Sequence, residues 1–256
     1  MKTQQLLDGL YIKLNRRDFV DPDPLMFLYD FKDVKDREIV GLISSSVAYG
    51  RVAQILKSVK KLLKPMNGQP FEFIKHSSET EFLKTFKGFK HRFTNDEDIA
   101  RLFSGIKRAV NEYDSLENLF LSQMNLTTTD RLVSFTDFLN SGKQSYLLPS
   151  PLKGSACKRL NLYLKWMVRS DNVDPGGWKK VDPADLIIPL DTHMHRASKI
   201  LGFTKRKAAN WKTAIEITEK FRKISPKDPT KYDFALTRLG IRQEMSFDEL
   251  IDNISI

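Results

Sequence analysis

Apolar residues recur along most of this chain at intervals of three and four, broken by short runs of proline, glycine and small polar residues. That interval is the repeat of one helix face, so the pattern predicts a protein built almost wholly of α-helices. Residues 2–15 read as a first helix, and RRDFVDPDPLMFLYDF (16–31) as a proline-marked loop entering a short apolar element. The next helix carries Ile39, Val40, Leu42 and Ile43 with Asp36 as its cap, and another runs from Val52 to Leu63, where Pro65 stops it. The small residues of SSSVAYG (44–50) between them let backbones approach closely. Helical spacing continues from Pro70 through Phe93. In NDEDIARLFSGIKRAVNEY, Asn95 or Asp96 caps a stripe of Ile99, Leu102, Phe103, Ile106 and Val110. A short helix at LVSFTDFLNSG, a Pro/Gly-marked link at 141–154 and a firm helix at SACKRLNLYLKWMVRS follow, the last with Leu160, Leu164, Met167 and Val168 on one side. After the breaker run 171–189 come three more helical stretches, two of them beyond Gly202. The expectation is roughly ten to twelve helices with short links and almost no period-2 alternation.

Charge changes the picture more than hydrophobicity does. The chain of 256 residues carries a net +10, and residues 143–223 alone hold 17 Lys/Arg against 7 Asp/Glu. The basic excess therefore sits in one third of the protein, which points to an anionic partner such as nucleic acid. One cysteine, Cys157, excludes an intramolecular disulfide and any four-cysteine zinc or iron–sulfur site, and fits a reducing cytoplasm. No run of about 20 apolar residues is present to span a bilayer, no signal peptide is visible, and no glycine-rich phosphate loop supports a nucleotide fold.

The densest chemistry lies in IIPLDTHMHRASKILGF (187–203). His193 and His195 are two apart, which on a helix puts them on different faces, and His76 and His91 are far away in sequence; no metal site is expected. Asp191 precedes a helix built on Met194, Ala197, Ile200 and Leu201 and suits its N-cap. A carboxylate at that place, beside a basic groove, also suits activation of water or stabilisation of a cationic sugar.

LDTHMHRASKILGF resembles the catalytic-aspartate segment of the helix-hairpin-helix DNA glycosylases, where Asp, Thr and His open a helix that continues through Arg to Leu-Gly. Asp191 matches the essential aspartate, with Arg196 and Gly202 on the same helix. SPLKGSACKRLNLYLKW is similar to the element that supplies the lysine nucleophile in bifunctional members, and Lys158 is its best match. The usual Leu-Pro-Gly-x-Gly hairpin is replaced by LLPSPLKGS, with only Gly154. Lys158 and Asp191 stand 33 residues apart, a long separation similar to that of the archaeal 8-oxoguanine branch. Fainter likenesses lie at 39–55 and 232–241. Taken whole, the chain resembles a bacterial family of unknown function.

The resemblance implies an all-α fold of two helical lobes flanking a basic cleft, approximately 1–35 plus 185–256 and 36–184, acting as one unit. It implies a DNA glycosylase with β-lyase activity, in which Asp191 stabilises the sugar cation and Lys158 forms a Schiff base. Phosphate contacts are expected from Lys153, Gly154, Ser155, Arg159, Lys165, Arg169, Lys179, Lys180, His193 and Arg196. The base pocket is expected at Ser45, Gln54, Trp166 and Trp178, with Trp166, Trp178 or Tyr163 as a wedge. The implied substrate is duplex DNA carrying an oxidised purine, 8-oxoguanine first, and no cofactor is expected. A monomer in the cytoplasm, associated with the nucleoid and not with membrane, completes the expectation; the alternative is a non-catalytic DNA-binding protein on the same fold.

Overall fold

The computed structural model describes residues 2–122, 126–242, 245–248, 250 and 251. Among them are twelve α-helices: α1 (Lys2–Leu14), α2 (Val34–Ser46), α3 (Val52–Leu63), α4 (Pro70–His76), α5 (Glu79–Thr85), α6 (Asp96–Tyr113), α7 (Leu116–Leu121), α8 (Thr128–Asn140), α9 (Lys158–Val168), α10 (Thr192–Ile200), α11 (Trp211–Ile224) and α12 (Asp233–Ile241). The fold is all-α apart from one small antiparallel hairpin, β1 (Lys90–His91) with β2 (Thr94–Asn95). That hairpin falls inside a stretch whose sequence reads as helix.

Helix α2 runs through the core. Every residue from Glu38 to Ser46 is buried, and α2 packs along α9, whose Leu160, Tyr163, Leu164 and Met167 are buried with it. The small residues allow this closeness: a Cβ at Gly41 would stand 3.3 Å from Leu28 and Tyr163. The 3-10 segment Pro24–Asp30 packs on α2 and α3, so the early prolines begin an element of the core. α1 and α10 both pack on α12, while α6 is braced by α5, α7 and α8. One continuous apolar core joins all these helices. No helix among the described residues is long and apolar enough to cross a membrane.

Capping follows the sequence in some places and departs from it in others. Asn95 caps α6 and forms a reciprocal box with Asp98. Asp36, expected to cap α2, lies inside it; Asp33 caps α2, and Asp36 instead accepts from the Phe71 N–H at the start of α4. Helix α7 has a more costly arrangement. The buried Glu38 carboxylate accepts from the Leu116 and Glu117 backbone N–H groups and from Trp178 Nε1.

Burial pushes the Glu38 carboxyl up to about 7 from 4.5, against the pull of those donors. The folded value lies above the unfolded one. The associated stability is therefore complete below about 4.5 and is lost as pH rises toward 7. Relative to a Glu38→Gln variant, the protein should lose roughly 3 kcal/mol of stability across that window. Urea melts of both proteins at several pH values check this, and parallel profiles would contradict it.

Candidate active site

Two helix starts, far apart in sequence, meet at one cleft. The first is that of α9. A 3-10 turn at Pro151–Lys153 ends on Gly154 (φ 77°), then Cys157 takes a left-handed conformation (φ 47°) directly before Lys158. Cys157 is held there by Ser155, whose Oγ accepts from its N–H at 3.1 Å. Lys158 thereby becomes the first residue of α9 and is only half-buried. The second start is that of α10. The buried run Leu186–Leu190 brings the chain in, and Asp191 Oδ1 accepts from the Met194 N–H at 2.8 Å. Asp191 is thus an N-cap, as its position predicts.

The cap occupies only one carboxylate oxygen. The other, Oδ2, lies 3.5 Å from Lys158 Nζ, with side-chain exposures of 36% for the lysine and 16% for the aspartate. Both groups face a cleft of about 520 Å³. Tyr49, Gly50, Val52 and Ile55 form one wall, Pro22–Pro24 and Ile241 another, and Leu162 and Trp166 lie along α9 between them. His193 also lines the cleft, held against α12 so tightly that a Cβ on Gly240 would lie 2.3 Å from its Nδ1. An amine and a carboxylate in contact at the side of an apolar, partly open cavity can attack and stabilise an electrophilic carbon held there.

Below the pair, α9 carries further charge into the core. Lys165, two turns on, is buried and lies 3.1 Å from Asp233 and 3.4 Å from Asp174. Arg169, one turn further, is buried among Asp171 and Asp228, each at 2.8 Å, and Asp174. Burial opposes the Lys165 ammonium, but the Asp174 and Asp233 carboxylates outweigh it and hold its pKa above the usual lysine value. Burial pushes the Asp233 carboxyl up, and the nearby Asp191 charge adds to the rise. A small chamber of about 60 Å³ between Lys158, Asp191, Lys165 and Asp233 connects the buried charges with the cleft.

A comparison with known protein families matches residues 23–242 to one described as a protein of unknown function (DUF2400). The chain belongs to this family. No curated protein and no solved structure matches it.

In this DUF2400 chain, the expected site residues separate into three groups. Lys158, Asp191, His193 and Trp166 line the cleft. Lys153, Gly154 and Ser155 form the turn before α9, where Lys153 and Gly154 are exposed and Ser155 pairs with Asn210. Arg196 is exposed on α10 and lies 4.8 Å over the Phe247 ring. The third group is corrected by burial or direction. Lys165 and Arg169 are enclosed by carboxylates and do not reach a phosphate. Trp178 is buried against Tyr163 and donates to Glu38, while Ser45 is buried and donates to the Leu42 carbonyl, so neither lines the cleft. Tyr163 is buried too, which removes it as a wedge.

Gln54 points outward on α3 toward Ser58 rather than into the cleft. Arg159 is committed to the Ser46 and Tyr146 carbonyls and lies between the Tyr49 and Tyr146 rings. Lys179 and Lys180 are exposed but sit beside α7, where Lys180 donates to Glu117 and Asn118. His195 is buried, with Nε2 3.0 Å from the Arg206 carbonyl oxygen, so the two histidines diverge. Among the described residues no group of three or more His, Cys, Asp or Glu side chains is placed to hold a metal ion.

Sequence reasoning missed two features. The proline loop Pro22–Pro24 supplies a wall of the cleft. A basic loop, Lys205–Lys207, is exposed beside the turn before α9, because Ser155 bridges to Asn210 and the Trp211 N–H donates to the Gly154 carbonyl. Its signal in the sequence is the run TKRK, which lies ahead of the helix that begins at Trp211.

Proposed function

We propose that this protein is a DNA glycosylase with β-lyase activity on a helix-hairpin-helix glycosylase-like fold, excising an oxidised purine, 8-oxoguanine first, from duplex DNA. The observation that carries the reading is the 3.5 Å contact between Lys158 Nζ and Asp191 Oδ2 across one cleft. The damaged nucleotide leaves the stack and enters between the two lobes, approximately 1–35 plus 185–256 and 36–184. Lys158 Nζ attacks C1′, and the proton it gives up is the one the departing base takes. The glycosidic bond breaks, and its electron pair leaves with the base. Asp191 stabilises the positive charge that develops on the sugar. Ring opening gives a Schiff base at Lys158; loss of a C2′ proton then breaks the C3′–O bond and cleaves the strand. On this reading the protein works as a monomer in the cytoplasm, associated with the nucleoid, and needs no cofactor.

The exposed cations of the two paired loops, Lys153, Lys205 and Lys207, suit phosphate contact. Each contact releases counterions, so for these three affinity should fall about fortyfold between about 50 and 200 mM salt. Single-turnover excision from duplexes carrying 8-oxoguanine, thymine glycol, uracil or alkylated purines tests the activity and the base together. Fastest release of 8-oxoguanine is expected. Faster release of thymine glycol would overturn the choice of base. Salt-sensitive binding with no excision across the panel would favour a non-catalytic DNA-binding protein, and salt-independent binding would remove the nucleic-acid reading.

A further inference from the structure

The one β-hairpin among the described residues holds an aromatic side chain out into solvent beside the cleft. Phe93, at its tip, is 72% exposed, and its ring lies 5.7 Å from that of Tyr146, itself 53% exposed. Single exposed aromatics are ordinary on protein surfaces. Here, however, the root of the hairpin is built to hold the tip in place. His91 is buried, takes a hydrogen bond from Ser58 Oγ on Nδ1 and donates from Nε2 to the Tyr49 carbonyl. The Tyr49 hydroxyl donates to the His91 carbonyl and lies 2.6 Å from Thr94 Oγ1, clamping both strands. Burial keeps His91 below the usual histidine pKa, which preserves this pattern at neutral pH.

The tip is also continuous with the site. The Arg92 side chain rests on Gly50, where a Cβ would stand 2.8 Å from its Cδ, and Gly50 lines the cleft. Tyr146 meets Tyr49, also a cleft residue, at 5.2 Å, and Arg159, the neighbour of Lys158, lies 4.8 Å from each of the two rings. The surroundings are cationic. Lys90, Arg92 and Arg51 are exposed, whereas the nearby Asp96 and Asp98 are engaged with the Gly88 and Asn95 N–H groups. An exposed ring on a fixed hairpin, with the Arg92 guanidinium 5.5 Å from its centroid and further cations around it, suits a nucleobase flanked by phosphates.

We propose that Phe93, backed by Tyr146, is a stacking platform for the base left unpaired when a nucleotide leaves the duplex for the Lys158–Asp191 cleft. This rests on the glycosylase reading for the cleft, but none of the motifs that carry that reading includes residues 90–95.

The test uses the full chain and three duplexes of equal length: fully paired, carrying a tetrahydrofuran abasic analogue, and carrying 2-aminopurine opposite that analogue. Wild type should prefer the abasic duplex and should quench the 2-aminopurine through stacking. Phe93→Ala should bind the abasic duplex roughly tenfold more weakly and lose most of the quenching, with paired-duplex affinity within about twofold of wild type. Phe93→Trp should restore both signals, which a merely structural role would not predict. If Phe93→Ala keeps both the preference and the quenching, the platform is overturned, whether or not Lys158 forms a covalent adduct. If the quenching depends on Phe93 but wild type forms no adduct, the platform stands and the glycosylase chemistry fails. A wild type that binds none of the duplexes overturns both.

Discussion

Asp191→Asn is expected to leave the protein folded while removing most of the excision activity proposed for it. The reason is that the two oxygens of Asp191 have separate roles. Oδ1 caps α10 through Met194, and an asparagine oxygen preserves that bond, so the stability loss should stay within about 1 kcal/mol. Oδ2 faces Lys158 at 3.5 Å and, in the proposed mechanism, supplies the negative charge opposite the developing sugar cation. Losing that charge should slow single-turnover excision by at least about 10²–10³-fold, the range typical of removing one transition-state contact in a water-poor site. Urea melts and excision rates on the same preparations separate the two roles. Near-wild-type excision by the variant would reduce Asp191 to a helix cap.

The largest loss of stability is expected at Lys165, not at the cleft. Lys165→Met removes the cation that Asp174 and Asp233 share in the core, leaving buried Asp233 without its ion-pair partner and Asp174 with Arg169 alone. Breaking a buried pair from one side costs about 3–5 kcal/mol, because the remaining charge stays desolvated. Lys158→Gln, at a half-exposed position, should cost far less. Burial already holds the Asp174 and Asp233 carboxyls above the usual carboxylate range. They take up protons as pH falls, so the Lys165→Met penalty should be smaller at pH 5 than at pH 8. Denaturant midpoints at the two pH values read this out, and an equal penalty at both would contradict the assignment of the charges.

The contrast between Lys158 and Lys165 shows what the sequence made legible and what it hid. The helix beginning at Lys158 and the cap at Asp191 were readable because local chemistry sets them: a turn-forming run before one, an extended apolar approach before the other. Their meeting across 33 residues came from the family resemblance and lay beyond the reach of helical periodicity. Lys158, Leu162, Lys165 and Arg169 recur at one helix-face spacing, and the face they share turns inward as α9 leaves the cleft. The acids that neutralise it are Asp171 and Asp174, just beyond the end of α9, and Asp228 and Asp233, which no local pattern ties to α9. Counting charge along the chain therefore treated buried structural cations as a phosphate-binding surface.

The hairpin was hidden for a different reason. Phe86, Phe89 and Phe93 are spaced as on a helix, and strands of two residues are too short to show alternation. Helix α5 ends at Thr85, and Gly88 (φ 73°) turns the chain into β1.

The proposed chemistry requires Lys158 to be a nucleophilic amine, and borohydride trapping on abasic-site duplex reads that property directly. Wild type should give a covalent protein–DNA adduct, whose mass and peptide map place the bond at Lys158. Lys158→Gln should give none while still binding the duplex. An adduct formed as readily by Lys158→Gln as by wild type would place the amine elsewhere, with Lys153 the nearest exposed alternative in sequence, and would contradict the central claim.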